Sequence, residues 1–433
     1  MDNIIKTILY EWREHKLPKI IRRETDLTKY LNLKTPKIIT ITGFRRVGKT
    51  YLIFDLIEEL LKTHHKEEVV YINFEDERIP SDIKVLTQLI PTINETYNHT
   101  TKYLFLDEIQ NIPNWSQWVR RIYDQENIKI FITGSSSKLS SKEIPTELRG
   151  RCIEKTIMPL SFREFLLFKN IKIDLASLPY LDKEKSKTNK ALEEYLYYGG
   201  LPEIVLTSKE HKFEILQQYY KTVISQDIMD RFKIKNETML KALLMLLLNS
   251  TIYSISKIYK TLRSAGHKIG PTTVMKYISY IENSYFLNNL FIFSYTVKDR
   301  LQYPKKIYFI DNGFINALSS TFSKNTGRLF ENIVFNKIKS ELKINEELFY
   351  WQDKRQKEVD FVVKKGNKII NLIQVSSNLD NIGTKEREIN NLLKADKELN
   401  CNNLTIINKD IDSKEKIGGQ TIKFTPLYKF LLE

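Results

Sequence analysis

Apolar and polar positions change their period several times along this chain. Between residues 36 and 158, short apolar runs at 37–42, 69–73, 103–106 and 129–133 alternate with stretches whose apolar residues recur every three or four positions. The first of these helical stretches is 51–61. Runs that are apolar on both alternating faces predict buried strands, and their alternation with helices predicts a parallel sheet with right-handed crossovers. Residues 1–35 read as a helical lead-in. Residues 159–235 read as mostly helical, broken by the polar stretch 182–189 and by Gly199-Gly200-Leu201-Pro202. From 236 to about 320 helices give way to short aromatic-rich strands at 286–294 and 307–310. Beyond about 325 a second α/β alternation follows: helix 328–342, strands 347–351, 358–363 and 369–375, helix 384–399 and strand 404–407. The boundaries this predicts are 1–158, 159–235, 236–320 and 321–433.

Between the first run and the first helix stands Gly43-Phe44-Arg45-Arg46-Val47-Gly48-Lys49-Thr50. It fits G-x-x-x-x-G-K-[ST] at a strand-to-helix junction, the context that phosphate binding requires. Gly43 and Gly48 let the backbone curl so that successive N–H groups point inward, and the helix N-terminus beginning about Tyr51 completes an anion site. Lys49 supplies a point charge for β- and γ-phosphates, and the Thr50 hydroxyl suits Mg²⁺. The run 103–106 ends in Asp107 and Glu108, two carboxylates at the C-terminal edge of a buried strand, where open α/β sheets bind ligands. Asp107 would hold Mg²⁺ through water and Glu108 would polarise the attacking water. The run 129–133 leads into Gly134-Ser135-Ser136-Ser137. In P-loop ATPases with an extra strand between the two motifs a polar residue here reads the γ-phosphate, and Ser135 is the candidate. Arg149 and Arg151 follow, guanidinium groups suited to charge on the transferred phosphoryl oxygens of this chain's site or a neighbour's.

Composition narrows the classes. With 433 residues, 42% hydrophobic and 11% aromatic, the chain can build two or three folded domains and is not a disordered polyelectrolyte. The longest apolar run, 242–248, falls far short of the roughly 20 residues that span a bilayer, so no membrane association is expected. The first residues carry acids and no apolar stretch of the signal-peptide kind. Two cysteines, Cys152 and Cys401, fit a reducing cytoplasm and give neither a disulfide nor a zinc pattern. The net charge of +15 is concentrated: residues 236–330 carry 12 Lys plus Arg against 4 Asp plus Glu, so they supply +8 of it. A localised basic excess favours a polyanionic partner there. Within it, 254–262 and 271–283 read as two helices around the turn 266–270, with Lys268, Thr272, Thr273 and Lys276 near the start of the second. Lys298, Arg300, Lys305 and Lys306 fall between the aromatic strands as a basic wing. The order suits a helix in the major groove of duplex DNA with wing cations on phosphates; the alternative is a packing or protein-contact module.

The ordered set Gly-x-Arg-Arg-x-Gly-Lys-Thr, Leu106-Asp107-Glu108-Ile109-Gln110 with Trp115, Thr133-Gly134-Ser135-Ser136, Gly150-Arg151, Pro159-Leu160-Ser161-Phe162-Arg163-Glu164-Phe165, Tyr198-Gly199-Gly200-Leu201-Pro202-Glu203 and Gln226-Asp227-Ile228 resembles the archaeal and bacterial AAA+-type ATPases that carry a C-terminal restriction-endonuclease-like domain. The resemblance covers almost the whole length. It implies an α/β architecture: a parallel-sheet P-loop core, a helical lid, a winged helix and a nuclease-like tail, with ATP or ADP and Mg²⁺ as ligands. Assembly into a homo-oligomer is common in such proteins. In the nuclease-like fold a helix Glu, a strand Asp and an E-x-K on the next strand gather Mg²⁺. Glu331 and Asp360 match, but Gln374 and Ser376 stand where Glu and Lys belong, so the fold is expected without cleavage. The leading reading is an ATPase acting on DNA. Its rivals are a nucleotide-locked scaffold for protein partners and an ATP-gated nuclease.

Overall fold

The apolar runs of the first 158 residues pair into one parallel sheet. Its strands are β1 (Ile38–Gly43), β2 (Val69–Asn73), β3 (Tyr103–Asp107), β4 (Lys129–Thr133) and β5 (Cys152–Ile157), in the order β2-β3-β4-β1-β5. The sheet belongs to a computed structural model that describes residues 2–134, 147–174, 176–178, 180–319 and 326–433. Strand β5 has no counterpart among the apolar runs. Its sequence, Cys-Ile-Glu-Lys-Thr-Ile, is only half-buried along most of an edge position, so the period that betrays a two-faced strand is missing. The helix after β1 spans Lys49–Leu60 and buries Leu52, Ile53, Leu56, Ile57 and Leu60. On one face Ile38, Val70, Leu104, Leu106, Ile130 and Ile132 pack with Leu86, Leu89, Ile93, Trp118 and Ile122. Phe105 and Phe131 stack at 4.8 Å between ring centres. Each such burial contributes about 1.5–3 kcal/mol.

By compactness the chain forms two units: Met1–Met158 with Val223–Lys233 and Asn283–Tyr285, and Pro159–Thr222 with Ile234–Glu282 and Phe286–Glu433. The second unit holds two sheets. Strands β6 (Ile252–Tyr253), β7 (Leu287–Leu290) and β8 (Lys305–Phe309) form an antiparallel sheet in the order β6-β8-β7; β6 follows the helix Glu237–Leu248, and the helices Ile255–Ser264 and Pro271–Asn283 come between β6 and β7. The segment expected as a basic wing differs in detail: Val297–Gln302 is a helix, and Lys305 and Lys306 lie inside β8. The other sheet has six strands, β9 (Glu346–Gln352), β10 (Glu358–Lys365), β11 (Lys368–Val375), β12 (Leu404–Asn408), β13 (Ser413–Ile417) and β14 (Gln420–Pro426), ordered β13-β14-β12-β11-β10-β9. Pairs β11–β12 and β12–β14 are parallel and the rest antiparallel. The helix Ile382–Leu399 covers one face through Ile389, Leu392, Ala395 and Leu399.

A buried carboxylate explains why Tyr198-Gly199-Gly200 reads as a motif. Asp311 is 3% exposed and accepts the Gly200 N–H at 2.6 Å and the Gly313 N–H at 2.8 Å. Burial pushes its carboxyl up to about 6, against the downward pull of those two N–H groups. Gly199 lies at φ +81°, and a Cβ there would fall 1.6 Å from Asp311 Oδ1. Gly199→Ala therefore meets both a left-handed backbone and a carboxylate. It is expected to destabilise the protein by about 3 kcal/mol or more, read as a denaturation midpoint. Gly270→Ala, with no atom within 4 Å of the new Cβ, serves as the near-neutral control.

Candidate nucleotide site

The loop after β1 closes on itself through its lysine. Lys49 is 6% exposed, and its ammonium donates to the Gly43 and Phe44 carbonyls, each at 3.2 Å. Burial lowers its pKa, while Glu108 and Asp107 oppose that shift. Gly43 sits at φ +140°, and a Cβ there would lie 2.4 Å from the Ile157 carbonyl, its register partner on β5. Only a glycine fits so close to the neighbouring strand. Phe44 and Val47 are buried under the loop, while Arg46 is exposed at φ 66° and Tyr51 is 54% exposed. Arg45 turns to Asp227, with Nη2 at 2.9 Å and Nε at 3.3 Å from its two oxygens.

Strand β4 between β1 and β3 brings the acidic pair opposite this loop. Asp107 is 2% exposed and accepts three hydroxyls: Thr50 Oγ1 at 2.9 Å, Tyr71 at 2.8 Å, and Thr133 Oγ1. Burial raises its pKa, and the three hydroxyl donors pull the other way, Thr133 most strongly. Thr133 also accepts the Glu108 N–H at 3.1 Å, so one hydroxyl ties both acids to the end of β4. Glu108 adopts the left-handed region at φ 53°, and its carboxylate accepts from Gln110 Nε2. A non-glycine residue in that conformation carries strain, which is commonly found at functional sites. Thr50 Oγ1 donates to Asp107 Oδ2 at 2.9 Å, so the hydroxyl and the carboxylate that would hold Mg²⁺ already face each other, hard oxygen donors of the kind that ion takes. A hydroxyl and a carboxylate are the donor set that fits the ion.

Not every sequence candidate reaches this place. Ser135 lies outside the described residues. Arg149 and Arg151 sit at the opposite edge of the sheet: Ile38 N–H donates to the Arg151 carbonyl at the start of β1, and Gly43 is at its end. One strand, about 17 Å at ~3.3 Å per residue, separates them from the loop, and Arg151 forms a two-point pair with Asp124 at 3.0 and 3.1 Å. Neither acts on this chain's own loop from there. Thr133, Gln110 and Asp227 stood in the motifs without an assigned role, and Tyr71 stood in none. Their role depends on strand pairing and on a segment nearly two hundred positions away.

The tail's acids gather around a cation. Lys306 is 4% exposed, and its ammonium lies 2.8 Å from Glu331, 2.6 Å from Glu358 and 2.7 Å from Asp360. These carboxylates hold its pKa well up against the pull of burial. The pairing of β9 with β10 shifts register between Val359 and Val362, an irregularity that re-aims Asp360. Asp360 Oδ2 accepts the Val375 N–H at 2.9 Å. Gln374 spends both ends of its amide, accepting the Asp360 N–H at 3.2 Å and donating to Glu388 at 2.8 Å, and Ser376 donates to the Asn378 carbonyl at 3.0 Å. Among the described residues no group of three or more His, Cys, Asp or Glu is arranged to hold a metal ion. Two expectations change accordingly. Lys306 is not a wing cation, because three carboxylates bury it. The tail's acids are not left without a lysine, because β8 contributes one where position 376 does not.

The remaining basic candidates divide by exposure. Lys268, Thr272, Lys276 and Lys298 are exposed and Thr273 is half-buried. Lys305 is half-buried with Nζ 4.7 Å from the Phe291 ring centre, and burial lowers its pKa. Arg300 donates to the Ser294 carbonyl at 2.7 Å and covers Phe349 at 4.9 Å. Lys305 and Arg300 serve packing more than solvent.

A phosphate loop on the strand beside β4, with an acidic pair on the strand beyond, defines a P-loop protein of the AAA class, and residues 35–166 match the AAA domain family. Residues 189–325 and 326–430 match two domain families of unknown function. The chain belongs to the same family as the uncharacterized protein MJ1544 of Methanocaldococcus jannaschii, to which it is 38% identical over 427 residues, or 96% of this chain and 92% of that protein. An uncharacterized protein of Haemophilus influenzae is 29% identical over 364 residues, covering 81% and 86%. Among solved structures, the Walker-type ATPase PABY2304 of Pyrococcus abyssi is a distant likeness, with 14% identity, 70% of this chain and 99% of that chain covered, and a TM-score of 0.47. No helix among the described residues is long and apolar enough to cross a membrane.

Two substitutions test the geometry. Lys49→Ala removes the buried cation of the loop and is expected to weaken ATP binding about 10- to 100-fold, measured by titration with a fluorescent nucleotide. Lys306→Met strips the counter-charge from three clustered carboxylates and is expected to cost about 3–5 kcal/mol at neutral pH. Because those acids then bind protons more tightly folded than unfolded, the loss should ease as pH falls toward 5, a trend read from denaturation midpoints across pH.

Proposed function

We propose that the chain binds and hydrolyses ATP at Gly43–Thr50 and couples that turnover to duplex DNA. The observation that carries the first half is the meeting of Lys49, Thr50, Asp107, Glu108 and Thr133 at one edge of a parallel sheet. Loop N–H groups and Lys49 hold the β- and γ-phosphates; Arg46, Val47 and Tyr51 frame the loop. Thr50, and Asp107 through water, would hold Mg²⁺, which would neutralise charge on the phosphate oxygens. Glu108 orients the attacking water and accepts its proton, positioned by Gln110 and by the Thr133 link. Thr133 stands where a γ-phosphate reader at the end of β4 is needed, two positions before Ser135 in the sequence.

The domain reading goes with this function: a P-loop core over 1–158, a helical lid over 159–235, a winged helix over 236–320 and a restriction-endonuclease-like tail over 321–433. The helices Ile255–Ser264 and Pro271–Asn283 followed by β7 and β8 support the winged helix. Lys268, Thr272 and Lys276 at the exposed start of the second helix would meet DNA, with Lys298 on phosphate. The tail is a non-cleaving module, since the Lys306 ammonium already sits among its three acids and Gln374 is committed to Asp360 and Glu388. A second reading rests on the same region. Tyr295 (79% exposed), Val297 (66%), Leu301 (64%) and Tyr303 (50%) surround Lys298 with apolar surface, which suits a protein partner locked by nucleotide.

The test is steady-state ATP hydrolysis with and without duplex DNA, beside Glu108→Gln. Turnover stimulated by DNA and lowered at least 100-fold in the variant is the expected result. Slow turnover indifferent to DNA moves the assignment to the protein-partner reading. Binding that falls steeply with salt identifies phosphate contacts.

A further inference from the structure

The phosphate loop carries a second cation that its own motif does not require. Arg45 follows Phe44, and its guanidinium is held at two points by Asp227, a carboxylate with no exposed surface. Both groups lie within electrostatic range of the Lys49 ammonium, and Arg45 also feels Glu108 and Glu75. Asp227 sits in Val223–Asp230, a run of π-helix. Such a helix is rare, is less well packed than an α-helix, and is found mostly at functional places. The chain enters the first unit at Val223 and leaves it at Lys233, between two stretches of the second. The helix Glu237–Leu248 begins directly beyond.

A guanidinium fork matches a carboxylate and a phosphate in the same two-point geometry, so it serves one of them at a time. We propose that Arg45 is shared between Asp227 and the γ-phosphate of bound ATP, which makes Asp227 a positioning residue that reports which nucleotide the loop holds. With ADP the Arg45–Asp227 pair stays closed. With ATP the γ-phosphate takes the guanidinium, Asp227 is left buried without its counter-charge, and the π-helical run repacks or opens to relieve it. Because the short segment 231–236 joins that run to the helix at Glu237, its change of state passes along the chain toward the helix–turn–helix segment. This inference rests on the assignment of ATP to Gly43–Thr50.

The test compares binding of AMP-PNP and ADP, both with Mg²⁺, to the wild type, Asp227→Asn and Asp227→Glu. Asn competes weakly for Arg45, so Asp227→Asn should bind AMP-PNP about tenfold more tightly relative to ADP, with ADP affinity unchanged, and Asp227→Glu should restore the wild-type ratio. Hydrogen exchange of residues 223–233 should be faster with AMP-PNP than with ADP in the wild type, and fast with both in Asp227→Asn. An unchanged affinity ratio overturns the proposal. So does an equal loss of affinity for both nucleotides, which marks Asp227 as merely structural, and so does exchange indifferent to the nucleotide in the wild type. Wild-type protein that binds neither nucleotide overturns instead the assignment of the loop, and the shared arginine with it.

Discussion

A charge taken out of water must be met by a partner, and that rule organises both units of this protein. Lys49 answers to two loop carbonyls, Asp107 to three hydroxyls, Asp227 to a guanidinium, Asp311 to two backbone N–H groups and Lys306 to three carboxylates. Apart from Lys49, whose partners lie in its own loop, these groups sit where elements distant in sequence come together. Each would be costly alone, so each specifies the register and approach of the segments that satisfy it. The same partners decide what the chemistry can be. At the loop they are carbonyl and hydroxyl oxygens of neutral groups, apart from the carboxylate of Asp227. In the tail they are a covalently attached ammonium.

The nucleotide site follows from strand order. With β4 between β1 and β3, the loop and the acidic pair face each other across one strand, and Thr133 at the end of that strand reaches Asp107 by its hydroxyl and Glu108 through the backbone. The opposite edge of the sheet receives Arg149 and Arg151, a full strand length away. Parallel pairing thus sorts residues by which end of a strand they follow, and sorts them more sharply than their identities do.

The basic excess of residues 236–330 divides in the same way. Part of it is exposed at the start of the helix Pro271–Asn283, where a polyanion can reach it. Part is withdrawn: Lys306 into the carboxylate cluster, Lys305 and Arg300 over aromatic rings. Net charge counts all of these equally. Burial removes some of them from any dialogue with solvent or ligand.

Most strands and helices were legible because period reports burial locally. The runs at Ile38, Val69, Tyr103 and Lys129 became strands within one residue at either end, and the tail's helix–strand alternation appeared in the expected order. The strands Cys152–Ile157 and Ser413–Ile417 were not legible, because half-exposed edges lack an apolar period. Gly43, Lys49, Thr50, Asp107 and Glu108 could be picked out by type and spacing, since a phosphate loop is built from consecutive residues. By itself the sequence determined the class of the core and the candidate residues of its phosphate loop, because those depend on local backbone geometry and side-chain chemistry. Only the tertiary structure decided that Thr133 bridges the acids, that Arg45 pairs with Asp227, and that Lys306 belongs to the tail's carboxylates. Those partnerships join residues 25 to 182 positions apart, and pairing across such distances is set by packing, which no local pattern records.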